Sequence, residues 1–461
     1  MPLLIKNGRV ITASDDYVAD IYCAADTITR IEKSIDAKSC APGTEVIDAS
    51  GKYVFPGFID PHVHIYLPFM GTYAKDDWES ASRAALLGGT TTLIEMICPG
   101  KTDEPMAAFE TWLGKAQGKA ACDFTFHMGV TRFDDTAARQ FREIVKRGIR
   151  SFKVFLAYKG ALGVDDRELY HTLKLAKELG VVVTAHCENE TLVAEMQAEL
   201  LAAGKTAPEF HEPSRPVQVE AEGVHHLMTF AELTGAEVYV VHTSCDEAVR
   251  EAVAAIGRGV KAHIEVVIPH LVVDHSYTQK NGFEGAKFVM SPPLRDKSQL
   301  AKMWAHLASR TIATVATDHA PFDFESQKTM GKDAFTKIPN GIPSVENRVD
   351  LLYTQGVATG RIDLNTFVDA ASTQAARIFG LKGKGTIAVG SDADLVVYDP
   401  AYRGKVHSAS KTHHNMATDY SAFEGWEMKG RSDTVTVRGQ VMVKGAKFVG
   451  KMGTGRLVGR G

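Results

Sequence analysis

The 461-residue chain has little of what marks membrane, secreted or nucleic-acid-binding proteins. No uninterrupted apolar run is long enough to cross a bilayer. The opening Met1-Pro2-Leu3-Leu4-Ile5-Lys6-Asn7-Gly8 is too short and too interrupted to read as a signal peptide. Lysine and arginine form no block, and 52 basic against 56 acidic side chains leave a formal charge of -4. That balance suits neither nucleic acid nor an anionic membrane surface. The six cysteines (Cys23, Cys40, Cys98, Cys122, Cys187 and Cys245) lack CxxC spacing. They predict free thiols in a reducing compartment, and so a cytoplasmic protein. With 44% hydrophobic and 23% charged residues, the composition is that of a globular chain with room for one large domain and a smaller one.

From about residue 54 to 317 two kinds of segment alternate. Apolar, β-branched runs at 54–59, 91–96, 123–130, 151–157, 181–186, 237–242, 261–268 and 312–317 read as strands. Amphipathic stretches between them, clearest at 78–87, 104–119, 137–146, 167–179, 246–256 and 297–309, read as helices. Gly88, Gly148 and Gly180 suit helix ends. Eight strand–helix repeats predict an α/β fold whose parallel sheet closes as a (β/α)8 TIM barrel. Both ends of the chain read instead as short strands with turns, and neither has apolar surface for its own core. The expected organisation is a small β-sandwich shared between residues 1–53 and 383–461, flanking a barrel at 54–382. Two more helices are expected at 349–359 and 364–379, and a frayed tail from about 450.

The stretch 57–64 ends in His62-Val63-His64. Alternate residues of a strand share a face, so both imidazoles can grip one metal. With 17 histidines, about 0.6 such pairs are expected by chance, so the pair needs company. Company comes from Lys153, His186, His242 and Asp318, at strands four, five, six and eight. Side chains at the carboxyl ends of barrel strands converge on one rim, where barrel enzymes do their chemistry. Lys153 is the only polar residue in Phe152-Lys153-Val154-Phe155-Leu156 and is expected inside the barrel mouth. A buried ammonium tends to lose its proton. A neutral amine beside two cations can take up carbon dioxide as a carbamate, which can bridge them. His127 is a candidate to support the site from behind. His319 faces away from Asp318 and is left out of the ligand set. His225-His226 reads as solvent-exposed, His413-His414 as a loop, and Cys187 and Cys245 as packing residues.

The sequence resembles the D-hydantoinase and dihydropyrimidinase group of cyclic amidohydrolases over essentially the whole chain, through residues 57–64, 151–160, 184–189, 291–295, 317–322 and 385–400. The resemblance implies a hydrolase with two divalent metal ions per subunit, usually zinc. His62 and His64 would hold the buried ion with Asp318, His186 and His242 the exposed one, and carboxylated Lys153 would bridge the pair. A hydroxide shared by the ions would attack the cyclic amide carbonyl of a hydantoin or dihydropyrimidine, giving an N-carbamoyl amino acid. Asp318 would be the general base, Tyr158 would hydrogen-bond the developing oxyanion, and Ser291 and Asn340 would bind the imide. Read without the family, Ser291-Pro292-Pro293 and Asn340-Gly341 suit turns, and Tyr158 suits packing at a strand end. The group also implies a homotetramer, with a small cyclic amide as the other partner.

The loops set expectations for the substrate. Tyr66, Leu67, Pro68, Phe69 and Met70 offer an apolar wall, and Gly160-Ala161-Leu162-Gly163 is a small loop. Together they predict a roomy apolar pocket beside carbon five of the ring. Dihydroorotase places an arginine two residues after the second histidine to pair with a substrate carboxylate, and allantoinase commonly an asparagine. Tyr66 stands there and can neutralise nothing. A non-catalytic scaffold of the same family would have lost metal ligands, whereas all six positions are filled.

Overall fold

A computed structural model describes residues 2–406 and 415–459. Among these residues, eight parallel strands run in order around one sheet: β1 (Phe58–Val63), β2 (Thr90–Ile97), β3 (Asp123–Gly129), β4 (Ser151–Phe155), β5 (Val182–His186), β6 (Val238–Val240), β7 (Ala262–Val267) and β8 (Thr314–Ala316). Every neighbouring pair is parallel, as right-handed strand–helix–strand crossovers require. The ring closes just past β8, where Asp318 N–H donates to His62 O (3.0 Å) and His64 N–H to His319 O (2.8 Å). The fold is the expected TIM barrel.

The helix Asp166–Leu179 shows how sequence sets the outer ring. Asp165 and Glu168 form a reciprocal capping box, and Gly180 ends the helix in a left-handed conformation at φ 63°. Its apolar face buries Leu169, Leu173, Leu175 and Ala176 against the sheet. Two helices absent from the clearest amphipathic stretches, Glu190–Ala202 and Val217–Thr234, lie between β5 and β6. The first buries only Val193, so its sequence carries little helical periodicity. The stretches expected as helices at 349–359 and 364–379 are helical but pass through π-helical turns at Tyr353–Val357 and Asp369–Thr373.

Among the described residues, both chain ends contribute to one branched sheet of nine strands. Leu395–Lys405, from the second end, pairs antiparallel with Tyr53–Pro56, from the first. Leu3, Ile5, Ile21, Val54, Leu395 and Val397 pack in an apolar core separate from the barrel's. The expected first strand is therefore two. Val54 and Phe55 belong to the end-derived sheet, Phe58 and Ile59 to β1. The chain changes sheets at Gly57, where a Cβ would lie 2.1 Å from Thr91 Oγ1, so only glycine fits the crossing.

The tail also differs from expectation. It is not frayed over the described residues. Phe124 N–H donates to Arg456 O (3.0 Å) and Val458 N–H to Phe124 O (2.8 Å), which adds the tail to the foot of β3. Asp123 anchors it, accepting from the Arg438 guanidinium and from Arg456 N–H (2.9 Å). Lys384 ties the same carboxylate to Asp394, at 2.6 and 2.8 Å. Fully buried charges need partners, and the tail completes the set. His413 and His414 lie outside the described residues.

Candidate metal centre

β1 ends with His62 and Val63, and His64 follows. Both imidazoles are buried, and their Nε2 atoms lie 3.1 and 3.2 Å from the same oxygen, Asp318 Oδ1. Glu265, on β7, faces His62 Nδ1 at 2.7 Å through Oε1. A hydrogen bond to a carboxylate puts the ring proton on Nδ1, which leaves Nε2 as a lone pair aimed at a carboxylate oxygen. Only a proton or a cation makes that contact favourable. Burial opposes charge on His62, but Glu265 and Asp318 outweigh it and raise its pKa. Burial lowers His64 to about 4, so it stays neutral. Burial also works against the Asp318 carboxylate, yet the histidines hold its pKa well below the usual range.

A second pair stands beside the first. His186 Nδ1 and His242 Nε2 are 3.0 Å apart, and the rings of His62 and His242 are 5.3 Å apart between centroids. His186 Nε2 meets Glu188 Oε2 at 2.7 Å, so Nδ1 presents its lone pair. Burial pushes both His186 and His242 below the ordinary histidine value. Two neutral imidazoles that meet through their ring nitrogens can both turn a lone pair to one ion, which is a metal-ligand arrangement. Lys153 projects from β4 with no exposed surface, and Nζ has no hydrogen-bond partner among the described residues. Burial lowers it to about 8, within reach of the neutral amine. The orphaned Nζ and the facing ring nitrogens fit a two-metal centre.

A cleft of about 440 Å³, counting its mouth open to solvent, lies over this cluster. His64, Lys153, His186, His242 and Asp318 form its floor, and Tyr158, Ser291 and Asn340 stand along its wall. Tyr158, His242 and Asp318 have φ of 62°, 38° and 51°, in the left-handed region that side chains disfavour. Such strain persists where the surroundings impose it, as at active sites. The Tyr158 backbone N–H is pinned by the Glu190 carboxylate, and its side chain lines the cleft with Ser291 and Asn340. Asn340 Nδ2 donates to Ser291 Oγ at 3.0 Å.

The amidohydrolase family pattern matches residues 53–442. The D-hydantoinase of Geobacillus stearothermophilus is 44% identical over 462 positions, covering 100% of this chain and 97% of that protein. The chain belongs to the hydantoinase and dihydropyrimidinase branch of the amidohydrolase family. The dihydropyrimidinase of Dictyostelium discoideum is 37% identical to this amidohydrolase, covering 99% of it and 90% of that protein. Among solved structures, the D-hydantoinase (dihydropyrimidinase) from Thermus sp. is 58% identical, superposes with a TM-score of 0.96 and covers 99% of each chain. The L-hydantoinase (dihydropyrimidinase) from Arthrobacter aurescens is 28% identical with a TM-score of 0.90, over 99% of each chain.

Other histidines of this amidohydrolase fall outside the cluster. His127 Nε2 reaches the carbonyl of Pro61, next to His62, at 2.9 Å and so supports β1 from behind. His319 turns away to Asp76, at 2.9 Å. His225 is exposed and His226 half-buried, and each faces a carboxylate. Cys187 and Cys245 are buried. Of the expected apolar wall, Leu67 and Phe69 line the cleft together with Phe155 and Leu162. Tyr66 does not; it stacks on Tyr73 and meets the edge of Trp112.

Sequence reasoning missed the carboxylates behind the ligands. Glu265 orients His62 and also accepts the His242 backbone N–H at 2.8 Å, and Glu188 orients His186. The signal for Glu265 was a lone acid inside the apolar strand Ala262–Val267. For Glu188 it was the spacing of two from His186. Arg215 pairs with Glu188 at 2.5 Å and, with His186, holds that carboxyl at about 2, against the burial that would raise it. Outer-shell partners of this kind are worth roughly 10–100-fold in metal affinity. Glu188→Gln should therefore weaken zinc uptake by about that factor, read by competition with a chelator. Unchanged affinity would contradict the orienting role.

Proposed function

We propose that this protein hydrolyses hydantoins and dihydropyrimidines, opening the ring to an N-carbamoyl amino acid at a two-metal centre. One observation carries the reading: His62, His64, Lys153, His186, His242 and Asp318 meet beneath a cleft walled by Tyr158, Ser291 and Asn340. The first metal would be held by His62, His64 and Asp318, the second by His186 and His242, with Lys153 as a bridging carbamate. Zinc is the metal we assign. Bound there, two divalent cations would acidify water and polarise the ring carbonyl.

The rest of the chemistry belongs to the chain. Asp318, held as a carboxylate, takes a proton from the attacking water. The bond between the attacked carbonyl and the imide nitrogen then breaks, and Asp318 returns the proton to that nitrogen. Burial raises the pKa of Tyr158, so its hydroxyl stays protonated and donates to the developing oxyanion. Ser291 and Asn340 meet the imide edge. Leu67, Phe69 and Leu162 give an apolar wall for a substituent at carbon five. Apart from Lys153, which the carbamate would make an anion, no lysine or arginine lines the cleft among the described residues, and Tyr66 is turned aside. That argues against dihydroorotate, whose carboxylate would need a cation. We further propose a homotetramer in the cytoplasm. The six free cysteines support a reducing compartment, and no helix among the described residues is long and apolar enough to cross a membrane.

Two experiments test this reading. A panel of dihydrouracil, allantoin, dihydroorotate and hydantoins bearing methyl, isopropyl or phenyl groups should show turnover of the substituted hydantoins, with about two metal ions per subunit. Strict preference for the unsubstituted ring would remove the apolar pocket, and metal-free, inert protein would support the scaffold alternative. Asp318→Asn should keep most of its metal yet lose turnover by at least about 100-fold, because an amide cannot carry the proton. Surviving turnover would put the base elsewhere.

A further inference from the structure

Lys328 lies in the 3-10 turn Lys328–Gly331, beyond β8, and is 0% exposed. It pairs with no carboxylate among the described residues. Its Nζ instead donates to three backbone carbonyls, Val289 (2.9 Å), Pro339 (2.6 Å) and Gly341 (2.7 Å). Burial drives its pKa well down. The three acceptors select the ammonium nonetheless, because a neutral amine has two N–H donors and would aim its lone pair at a carbonyl oxygen.

Those carbonyls are not scattered. Val289 lies two residues before Ser291, and Pro339 and Gly341 flank Asn340. One side chain therefore bridges the two segments that present Ser291 and Asn340 to the cleft. The segments touch directly at two other points, Gly341 N–H to Val289 O (3.0 Å) and Asn340 Nδ2 to Ser291 Oγ (3.0 Å). Gly341 has φ 151°, and a Cβ there would lie 2.2 Å from Ala320 O, so this backbone is pressed against the chain that leads out of β8. On the far side, His211 Nε2 bonds Met290 O at 2.8 Å. An aliphatic side chain at 328 would take this donor from the buried carbonyls of Pro339 and Gly341 and leave Val289 O with Gly341 N–H alone.

We propose that Lys328 is a positioning residue that fixes the spacing between the Ser291 and Asn340 segments, and through that spacing the affinity for the ring imide. The inference rests on the ring-opening reading above. Lys328 lines no part of the cleft and touches no metal ligand, so it acts on binding rather than on the water or the proton.

The test uses metal-loaded protein and hydantoin as the probe. Lys328→Met should retain about two ions per subunit and raise KM by roughly ten- to a hundredfold, with kcat within about threefold of wild type. Amide exchange at Gly341 should speed up by about tenfold or more while β1 keeps its protection. Lys328→Gln keeps two N–H donors and should recover part of both effects. Unchanged KM and exchange would overturn the proposal, as would a fall in kcat or metal content at constant KM. Unfolding of both variants would also overturn it, by making Lys328 a folding residue. If wild-type protein leaves hydantoin intact, the ring-opening reading fails, and the exchange result alone decides whether the clamp exists.

Discussion

Everything at the cleft hangs on the seam where the barrel closes. β1 and the chain leaving β8 share two backbone hydrogen bonds, and both involve residues of the HxH stretch and of Asp318-His319. Closing a parallel barrel requires that register in any case. Here the same register brings two imidazoles and a carboxylate to one point. Asp60 locks it from within: its carboxylate accepts from Thr317 Oγ1 at 2.7 Å and from the backbone N–H groups of Thr317 and His62. Fold and site are thus one constraint.

Around that seam the molecule repeats a single device. A buried or partly buried group of the candidate site is backed by a partner that fixes its proton or its backbone. Glu265 stands behind His62, Glu188 and Arg215 behind His186, and Glu190 behind Tyr158. Each pairing places a polar group where burial alone would be unfavourable, and satisfies it. The left-handed backbone at Tyr158, His242 and Asp318 belongs to the same economy, with strain stored where side chains must be aimed.

How much of this was legible depended on chemistry standing out from its background. Imidazoles, a lysine and an aspartate at the ends of apolar strands break a hydrophobic pattern, so the six candidate ligands could be read from sequence. The barrel was legible through its alternating periods. Arg215 and Lys328 were not, because a lone charged residue in a polar stretch reads as solvated and only the fold reveals its burial; Glu188 and Glu265 left traces, but which histidine each one backs shows only in the fold. The split at Gly57 was hidden because the apolar run continues across two sheets. The helix Glu190–Ala202 buries too little to show a period, and the tail looked loose because its partner, Asp123, lies more than 300 residues away.

The most direct test is X-ray diffraction from zinc-loaded crystals at the zinc absorption edge. The account predicts two anomalous peaks, one against His62, His64 and Asp318 and one against His186 and His242, with density for a carboxylated Lys153 between them. A single peak elsewhere, or an unmodified Lys153 turned away from the metals, would contradict it.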